Sequence, residues 1–351
     1  MDCARFHEIT RAYAGQRIAV LGDVCLDRYL EIDPSRQEIS IETGLAVHNV
    51  VNVRSQPGGA GTIINNLSAL GVAEIWPVAF AGIDGEGFEL VQALRRVPGV
   101  KTDYFLQTPL RRTFTYTKPL LMSSGRPPEE LSRLDHKNWT PTPVEVGEAM
   151  MQAIRDLAGK ADALILLDQV DEAGTGVITP EILSGLGEEI RKRPARLLLA
   201  DSRHGFAGYP PMTFKMNRHE LAAWFDGGRN LDEEQTGEAL RTLARSHRRT
   251  MFVTLAEKGL MGSSPEGDLE KVPALPVRGP IDIVGAGDSV SANLTVALLA
   301  GASLREALEL AAAAASVVIH QLGTTGVARV GDLEKVLFPP NQTEPVSLNT
   351  L

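Results

Sequence analysis

Short apolar runs alternate along this chain with longer stretches of helical periodicity, and this alternation constrains the fold more than any other feature. Each run has the length of a strand that is buried on both faces of a parallel sheet. The runs occupy residues 17–21, 75–80, 163–167, 196–200 and 251–254. Helical patterns cover residues 59–70, 144–157, 180–190, 233–244, 286–300 and 304–319. Strands that alternate with helices predict an α/β fold, in which helices cover both faces of a mostly parallel central sheet.

Two segments, residues 29–53 and 104–121, follow a different pattern. Apolar and polar residues alternate along them, which is the periodicity of strands with one exposed face. We expect these segments to form a small sheet that projects from the main domain as a lid. Because a few strands cannot bury both faces alone, this lid is expected to cover a site or to pair with a second subunit in a homodimer.

Composition excludes several classes of protein. The formal net charge is −9, and without a basic excess to displace phosphate counterions we expect no binding to nucleic acid. Cys3 and Cys25 are too few for a disulfide framework and fit a reducing compartment. The first residues lack the apolar core of a signal peptide, and the longest apolar stretches are about half the ~20 residues of a membrane span. We therefore expect a cytoplasmic protein without membrane contact.

The segment DIVGAGDS, at residues 282–289, precedes a helical pattern and carries the strongest chemical signal. Gly285, Ala286 and Gly287 let backbone amides approach a ligand, and the N-terminus of the helix adds unpaired N–H groups and a positive dipole end. Such an anion site suits a phosphoryl group in transfer, and the carboxylate of Asp288 would be able to take a proton from an attacking hydroxyl. Spacing alone leaves open an ordinary glycine turn with an acidic helix start.

Asn217 and Glu220 have the spacing of a helix capping box, in which each side chain satisfies a backbone N–H group. This structural role is compatible with a second role in ligand binding. Among the 7 histidines no pair has the spacing of metal ligands, and the chain has no Walker A sequence. Any metal is therefore expected to be Mg²⁺ that arrives with a nucleotide.

Several segments, in a fixed order, resemble the ribokinase-like (PfkB) carbohydrate kinase family. They are GDVCLDRY (22–29), PGGAG (57–61), NLSALG (66–71), AGIDGEG (81–87), NRHE (217–220), DIVGAGDS (282–289) and LGTT (322–325). Within the family, GDVCLDRY, SRLD (132–135) and LGTT look most similar to bacterial heptose-7-phosphate kinases. The resemblance implies a three-layer α/β/α kinase domain over residues 1–338, with the small β lid described above. Residues 339–351 are expected to form a flexible tail.

The resemblance also implies a phosphotransferase that uses ATP and Mg²⁺, with a monovalent cation as a further candidate cofactor. Its acceptor would be a hydroxyl group of a sugar or a sugar phosphate. Asp288 would be the general base, and the amides of Gly285, Ala286 and Gly287 would form the anion hole. The residues implied on the sugar side are Asp27, Gly58, Gly59, Asn66 and Arg133. Those implied on the nucleotide side are Asn217, Glu220, Thr254, Gly259 and Gly323, with Glu220 positioning Mg²⁺ through water.

Some positions depart from the family pattern. Thr62 replaces a common Asn, Ile283 replaces a usual Thr and Ala256 replaces a common Gly. The segment at 168–172 lacks the Lys of the heptose kinases and gains acids, among them Asp171. These departures motivate an alternative hypothesis, a catalytically degenerate ligand sensor with the same fold.

A nucleoside kinase is the alternative within the class of enzymes. The acceptor itself is not identified by the sequence, because substrate choice depends on lid residues. Four basic side chains are candidates for recognising a phosphate group on an acceptor, with ordinary solvated surface charges as the alternative. They are Arg111, Arg112, Lys118 and Arg133.

Overall fold

The structure is a computed structural model, which describes residues 1–192 and 197–339. Strands make up a main sheet and a smaller projecting sheet. In chain order they are β1 (Arg17–Gly22), β2 (Val24–Ile32), β3 (Glu38–Ile39), β4 (Ala46–Val47), β5 (Val50–Gly59), β6 (Glu74–Gly82), β7 (Phe105–Thr108), β8 (Thr115–Leu121), β9 (Glu129–Glu130), β10 (Leu134–His136), β11 (Ala163–Asp168), β12 (Leu197–Ser202), β13 (Thr213–Asn217), β14 (Met251–Thr254), β15 (Leu260–Ser263) and β16 (Leu269–Val272).

The main sheet has nine strands in the order β16-β15-β14-β13-β12-β11-β1-β6-β7. Strands from β14 to β7 run parallel to their neighbours, whereas β15 and β16 are antiparallel at one edge. Each of the predicted apolar runs corresponds to a strand of this sheet, namely β1, β6, β11, β12 and β14. Arg196, at the start of one run, lies outside the described residues. The prediction of a mostly parallel α/β sheet is confirmed.

Helices cover both faces of the main sheet. They are α1 (Cys3–Arg11), α2 (Ala60–Ala69), α3 (Gly85–Arg95), α4 (Val144–Leu157), α5 (Pro180–Lys192), α6 (Arg218–Asp226), α7 (Glu233–His247), α8 (Ala286–Leu299), α9 (Leu304–Val318) and α10 (Val330–Leu337). α4 and α5 pack on one face at Ala19, Val78 and Leu164, and α2 and α8 pack on the other. The six predicted helices are α2, α4, α5, α7, α8 and α9, whereas the short helices α1, α3, α6 and α10 were not predicted.

The projecting sheet is antiparallel except for one pair. Its order is β10-β8-β2-β5, with β9 beside β8, and β2 runs parallel to β8. We call this sheet the lid. A short hairpin of β3 and β4 extends from it. The lid begins at Val24, earlier than the predicted residue 29, and includes strands between residues 129 and 136 that the sequence pattern did not indicate.

One part of the predicted lid belongs elsewhere. Phe105–Thr108, within the segment predicted at 104–121, forms β7 and pairs with β6 at the edge of the main sheet. The reason is packing, because Phe105 and Leu106 are partly buried against the main core. The remainder of that segment supplies β8 to the lid as predicted.

The predicted extent of one kinase domain over residues 1–338 remains a prediction. The predicted flexible tail falls, apart from Pro339, outside the described residues. Within residues 1–192 and 197–339, no helix has the length and apolar character needed to cross a membrane.

Candidate active site

Polar residues from four adjacent parallel strands meet at the carboxyl edge of the main sheet. Asp23 follows β1, Asp168 ends β11, Ser202 ends β12 and Asn217 ends β13. This edge is where open parallel sheets bind ligands. The lid leaves the sheet at the same edge, since β2 starts directly after Asp23. The space between this edge and the lid is therefore the candidate active site.

Asp23 fixes the junction between the main sheet and the lid. Its carboxylate accepts hydrogen bonds from the amides of Gln169, Val170 and Val177 at 2.9, 3.3 and 2.7 Å. Burial raises the pKa of Asp23 to about 6, although these amides oppose the rise. Asp23 therefore ties the start of the lid to the loop that follows β11.

The N-terminus of α8 points its first amides at the site. Gly285 is the N-cap with φ 82°, and no side chain caps the helix. The amide of Ala286 donates to the carbonyl of Ile283 at 3.2 Å, which corrects the prediction that all three amides are open to a ligand. Within the part of the chain that the structure describes, the amides of Gly285 and Gly287 have no protein acceptor. In this conformation the anion hole is formed by these two residues.

A buried lysine, which the sequence analysis did not single out, lies beside this anion hole. Lys215, on β13, is 6% exposed, and its Nζ donates to Asp201 Oδ2 at 2.6 Å. A Cβ atom on Gly287 would lie 3.0 Å from Lys215 Nζ, so any larger residue would push the cation away from the start of the helix. Burial alone would lower the pKa of Lys215, but the charge of Asp201, its hydrogen bond to Lys215 and the charges of Asp288 and Glu220 together raise that pKa. The lysine therefore stays charged beside the amides.

Asp288, in the first turn of α8, lies at the centre of the charged groups. Burial raises the pKa of its carboxyl group to about 7, and the carboxylate of Asp201 adds to the rise. Lys215 and Arg203 oppose it, and Asp27, on the lid, contributes a smaller repulsion. The carboxyl group is thus within electrostatic reach of both the main sheet and the lid. A pKa near neutrality is suited to a general base.

A cleft of about 590 Å³ opens on the other side of α8. Its lining includes Asn217, Thr254 and Gly259, all of them predicted on the nucleotide side. Its walls are mostly apolar, and they are formed by Leu255, Leu260, Leu275, Val277, Ile281, Ile283, Ala312, Ala315 and Ile319. Such walls suit a flat aromatic base. Gly323 does not line the cleft, contrary to the prediction.

Asn217 and Glu220 form the capping box at the start of α6. The Oδ1 atom of Asn217 accepts from the amide of Glu220 at 2.9 Å, and Oε2 of Glu220 accepts from the amide of Asn217 at 2.7 Å. Burial raises the pKa of Glu220, and Asp201 and Lys215 lie within its electrostatic reach. The structural role is therefore present, and the carboxylate also faces the charged centre.

Asp27 forms the acceptor side of the site from β2. It is 6% exposed, and its carboxylate pairs with Lys118 Nζ at 3.3 Å. β5 lies opposite, where a Cβ atom on Gly58 would come within 2.5 Å of Asp27 Oδ2. Burial alone would lower the pKa of Lys118, but the charge of Asp27 raises it. The absence of a side chain at Gly58 thus leaves room for the carboxylate of Asp27 next to the charged Lys118.

Gln169 contributes an acceptor atom to the same region. Its Oε1 atom is buried and has no hydrogen-bond partner. The atom lies beside Gly59, where a Cβ would be 3.1 Å away. An unpaired buried acceptor is costly, so this oxygen is a candidate to receive a hydroxyl group of a ligand. The sequence analysis did not assign a role to Gln169.

Asn66 has a structural role and does not face the acceptor site, which corrects its predicted contact with the sugar. It is fully buried, and its amide donates to the carbonyls of Thr62 and Gly326 at 3.0 and 3.4 Å. Its Oδ1 atom accepts from the amide of Ala328 at 3.3 Å. With these bonds made, Asn66 positions the loop at 322–328 and has no donor left for a ligand.

The same loop explains the position of Gly323. Thr325 donates to Asp27 Oδ2 at 3.4 Å and accepts from Gln56 Nε2 at 3.0 Å. Thr324 donates to Oε1 of Gln56 at 3.3 Å. These bonds tie the loop that contains Gly323 to the lid, and Gly323 is not among the residues that line the nucleotide cleft.

A chain of ion pairs crosses the rim between the lid and the main domain. Arg133 makes two hydrogen bonds to Asp135, of 2.7 and 2.8 Å. Lys137 lies 3.4 Å from Asp135 and pairs with Asp171, in the loop after β11. Lys137 thus supplies, from the lid, a cation to the segment in which the sequence analysis found a lysine missing. Arg203 lies within electrostatic reach of Asp171 and Asp288.

Of the four basic residues predicted to recognise a phosphate, Arg111 is excluded by its contacts. It is 5% exposed and donates to the carbonyls of Thr140, Pro141 and Thr175 and to the hydroxyl of Thr140. Arg112 is exposed and lies 3.6 Å from Asp84. Lys118 and Arg133 remain, at the centre and at the rim of the acceptor site.

Comparison with known proteins agrees with this geometry. Residues 209–329 match the model of the pfkB family carbohydrate kinases. The chain is 30% identical over 336 residues to the bifunctional protein HldE of Nitrobacter winogradskyi, covering 95% of this chain and 66% of that protein. It is 29% identical over 333 residues to the HldE of Bradyrhizobium sp. (strain ORS 278), with the same coverage of 95% and 66%. The chain belongs to the pfkB carbohydrate kinase family.

Solved structures show that the fold of this pfkB family member is ribokinase-like. A ribokinase of Arabidopsis thaliana in complex with ribose and ATP superposes with a TM-score of 0.66 at 19% identity, covering 92% of this chain and 99% of the other. Phosphofructokinase-2 of Escherichia coli, with substrates and products bound, gives a TM-score of 0.69 at 18% identity and covers 92% and 98%. The predicted fold class and family are confirmed.

The packing accounts for one departure from the pfkB pattern. Thr62 is 2% exposed. A Cβ atom on Gly285 would lie 3.3 Å from the Thr62 methyl carbon and 2.6 Å from that of Thr325. Thr62 therefore packs against the anion hole and does not face the acceptor, so its replacement of a common Asn leaves the polar residues of the acceptor site intact.

A second departure has a conformational cost. Ala256 adopts φ 53°, in the left-handed region that favours glycine. It lines the nucleotide cleft in the turn between β14 and β15. The family's common glycine at this position would adopt this conformation without strain.

Four residues of the candidate site were missed or only partly described by the sequence analysis: Lys215, Gln169, Lys137 and Arg203. Lys215 interrupts an apolar strand, which was a usable signal because a lysine in a buried strand needs a charged partner. The other three follow strands or lie between them, and their proximity depends on the positions of the lid and the loop after β11.

Proposed function

We propose that this chain transfers the terminal phosphoryl group of ATP to a hydroxyl group of a sugar that already carries a phosphate, of the heptose type. The observation that carries this proposal is the position of Asp288. Its carboxyl group lies within electrostatic reach of the Lys215–Asp201 pair on one side and of Asp27 on the other. A base between an anion site and a polar acceptor site has the arrangement that in-line transfer requires.

In this mechanism Asp27 and Gln169 orient the acceptor by hydrogen bonds to its hydroxyl groups. Asp288 takes the proton of the attacking hydroxyl group as the new bond to phosphorus forms. The amides of Gly285 and Gly287 and the ammonium group of Lys215 stabilise the negative charge of the phosphoryl group in transfer. Together these groups supply positioning and electrostatic stabilisation, which dominate phosphoryl transfer.

ATP would lie in the cleft beside α8, with its base between the apolar walls and its phosphates toward Gly287. Asn217 and Glu220 fit a Mg²⁺ ion that accompanies ATP, because the Glu220 carboxylate faces the charged centre and Mg²⁺ prefers oxygen ligands and retains water. The ion would neutralise phosphate charge. A monovalent cation remains a candidate cofactor.

A phosphate on the acceptor is supported by the cations at the rim. Lys137, Arg133 and Arg203 lie on the acceptor side, where Lys137 replaces the cation absent from the loop at 168–172. Their present partners are Asp135, which is 18% exposed, and Asp171, which is 50% exposed. A doubly charged phosphate would compete with these carboxylates for the same cations. The relatives named above are bifunctional, and the kinase proposal concerns only the part that this chain spans.

The test is Asp288→Asn, assayed with a panel of sugars, sugar phosphates and nucleosides. With the base removed, we expect kcat to fall by about 10²–10⁴-fold while ATP binding by calorimetry is nearly unchanged. The exposed Asp156, which accepts from Gln152 on the surface of α4, provides the control Asp156→Asn with wild-type turnover. A variant D288N that keeps its activity would refute the mechanism.

The same panel tests the acceptor. We expect turnover with sugar phosphates to exceed that with the corresponding free sugars. Turnover confined to nucleosides would contradict the proposed substrate class, and the absence of turnover on every compound would favour the ligand-sensor alternative.

The lid is also proposed to pair in a homodimer. Exposed apolar side chains lie on the β3–β4 hairpin that extends from the lid and on the adjoining start of β5, namely Ile39 (61%), Ile41 (103%), Leu45 (70%) and Val51 (50%). An apolar patch of this kind is typical of an interaction surface. Light scattering should give the mass of a dimer, and Ile41→Asp should give a monomer. A monomeric wild-type protein would contradict the proposal.

A further inference from the structure

Three potential metal ligands meet where the first and last described helices pack together. Cys3 and His7 are four residues apart on α1, and therefore on one face of the helix, and Glu334 lies on α10. One thiol sulfur, one imidazole nitrogen and one carboxylate oxygen of these residues lie within 4.8 Å of one another. His7 Nε2 is 3.2 Å from Glu334 Oε1. None of the three has a role in the proposed reaction.

The chemistry of the three groups is that of a zinc site. Thiolate, imidazole and carboxylate bind Zn²⁺ at about 2.0–2.3 Å in tetrahedral geometry, which places neighbouring ligand atoms about 3.3–3.6 Å apart. The separation of His7 Nε2 and Glu334 Oε1 is already close to this value. The thiol of Cys3 is free and exposed, and its sulfur lies within 4.8 Å of the other two ligand atoms. A hard cation such as Mg²⁺ would not select a thiolate.

The backbone that carries these ligands is held in place without a metal. Asp2 caps α1 through a hydrogen bond to the amide of Arg5. Phe6, fully buried, packs edge-to-face on Phe338, with ring centroids 5.6 Å apart. Leu333, next to Glu334, is fully buried on α10. The three ligands are therefore presented by two packed helices, and binding would not need the chain to refold.

We propose that Cys3, His7 and Glu334 bind one zinc ion, with water as the fourth ligand. The ion joins two helices that are more than three hundred residues apart in the chain. α10 follows the loop whose Thr325 contacts Asp27. A metal that binds only the folded chain stabilises it, so this ion would clamp α10 and, through it, the base of that loop.

The experiment uses the full chain without an affinity tag, reduced with a phosphine and stripped of metal. Titration with Co²⁺, which takes the place of zinc, should produce a thiolate-to-cobalt charge-transfer band that saturates at one equivalent, and Zn²⁺ should abolish the band. Cys3→Ser should lose the band, and His7→Ala and Glu334→Gln should each weaken Zn²⁺ binding by at least about tenfold. Glu8→Gln and His48→Ala, exposed residues outside the cluster, are the matched controls and should bind as the wild type does.

Hydrogen exchange gives a second readout that does not depend on kinase activity. Saturating Zn²⁺ should slow exchange in α1 and α10 of the wild type and should leave exchange unchanged in the three ligand variants. Three results would overturn the proposal: no charge-transfer band in the wild type, a band that persists in C3S, or equal weakening in the two control variants. Binding of several equivalents without a saturating first step would count as adventitious binding and would equally overturn it.

Discussion

The nucleotide side and the acceptor side of the site are built in different ways. On the nucleotide side, Lys215 and Asp201 are 6% and 8% exposed and lie in strands of the main sheet. On the acceptor side, the side chains of Arg133 and Lys137 are 46% and 21% exposed and belong to short lid segments. A buried pair is held by the packing around it, whereas a half-exposed pair contributes little stability and is easily exchanged. We infer that the core fixes the transfer chemistry, whereas the partly exposed cations at the rim add recognition of a phosphate to the buried acceptor pair of Asp27 and Lys118.

The largest effect is expected on the nucleotide side, from Lys215→Met. Removal of the cation beside Gly287 should lower kcat by about 10²–10³-fold, because the charge of the phosphoryl group in transfer loses a preorganised partner. Steady-state kinetics with ATP and the best acceptor of the panel measures this loss. KM for the acceptor should change little.

Lys215→Met also leaves Asp201 buried without its partner, so its effect on folding must be separated from its effect on the reaction. The double variant Lys215→Met/Asp201→Asn removes both charges and should recover thermal stability relative to the single variant. If turnover recovers along with stability, Lys215 serves only the fold and the comparison between the two sides fails.

The next prediction concerns pH. Because the pKa of Asp288 is raised to about 7, and the base acts in its ionised form, kcat/KM should fall about tenfold per pH unit below pH 7 and level off above it. A phosphorylated acceptor itself titrates near pH 6, so the profile is measured with an unphosphorylated sugar as well. A flat profile down to pH 5.5 with both acceptors would rule out Asp288 as the base.

The same raised pKa affects stability with a defined sign. The folded protein binds the Asp288 proton more tightly than the unfolded chain, so this stabilisation is present below about pH 4 and is lost as pH rises through about 7. D288N should therefore melt at a higher temperature than the wild type at pH 8, and the difference should vanish near pH 4. Calorimetry at the two pH values checks the sign.

A smaller, selective effect is expected on the acceptor side. Lys137→Ala should raise KM for a phosphorylated acceptor about tenfold, the loss of one charge-assisted hydrogen bond at a partly exposed position. KM for ATP should stay constant, in contrast to the effect of changing Lys215. Lys101→Ala, an exposed lysine elsewhere on the surface, is the control. An equal loss with the free sugar would show that Lys137 does not recognise phosphate.

The smallest effect is a gain. Ala256→Gly should raise the free energy of unfolding by about 1 kcal/mol, because glycine adopts the observed φ of 53° without strain. Arg248→Gly, at the other described non-glycine residue with positive φ, should stabilise similarly without touching the nucleotide cleft. Denaturant unfolding measures both. A loss of stability in both variants would show that the side-chain contacts of Ala256 and Arg248 stabilise the protein more than the backbone strain destabilises it.

The sequence predicted β1, β6, β11, β12 and β14 of the main sheet, because strands that are apolar throughout give runs that do not depend on their neighbours. It did not predict β13, where Lys215 interrupts the apolar pattern. It predicted the turn at Gly285 and the helix α8 that follows for a similar reason, since both are local, whereas the role of their amides as an anion hole remains a prediction. It failed where distant segments meet. Lys215, which lies beside Gly287, comes from β13, a distant part of the chain. No single motif in the sequence indicates the order of the strands in the sheet.

The acceptor side was harder for a further reason. Asn66 matched a family motif, yet its amide bonds to the loop at 326–328 decide its role, and only the packed structure reveals them. In the sequence, Lys137 had no assigned role and Asp171 was a departure from the family pattern, so neither residue indicated the other. Together they form one ion pair. Cys3 and His7 were missed because only pairs of histidines were considered.

The junction at Asp23 has a consequence for how such enzymes diversify. One residue separates the last strand position of the core from the first strand of the lid, and three amides of the loop after β11 hold its carboxylate. Mutations on the lid can therefore change which acceptor binds, while the orientation of the lid over the proposed base, Asp288, stays the same. A lid grafted from a distant relative should keep its orientation relative to the main sheet if the graft begins at Val24 and leaves Asp23 unchanged.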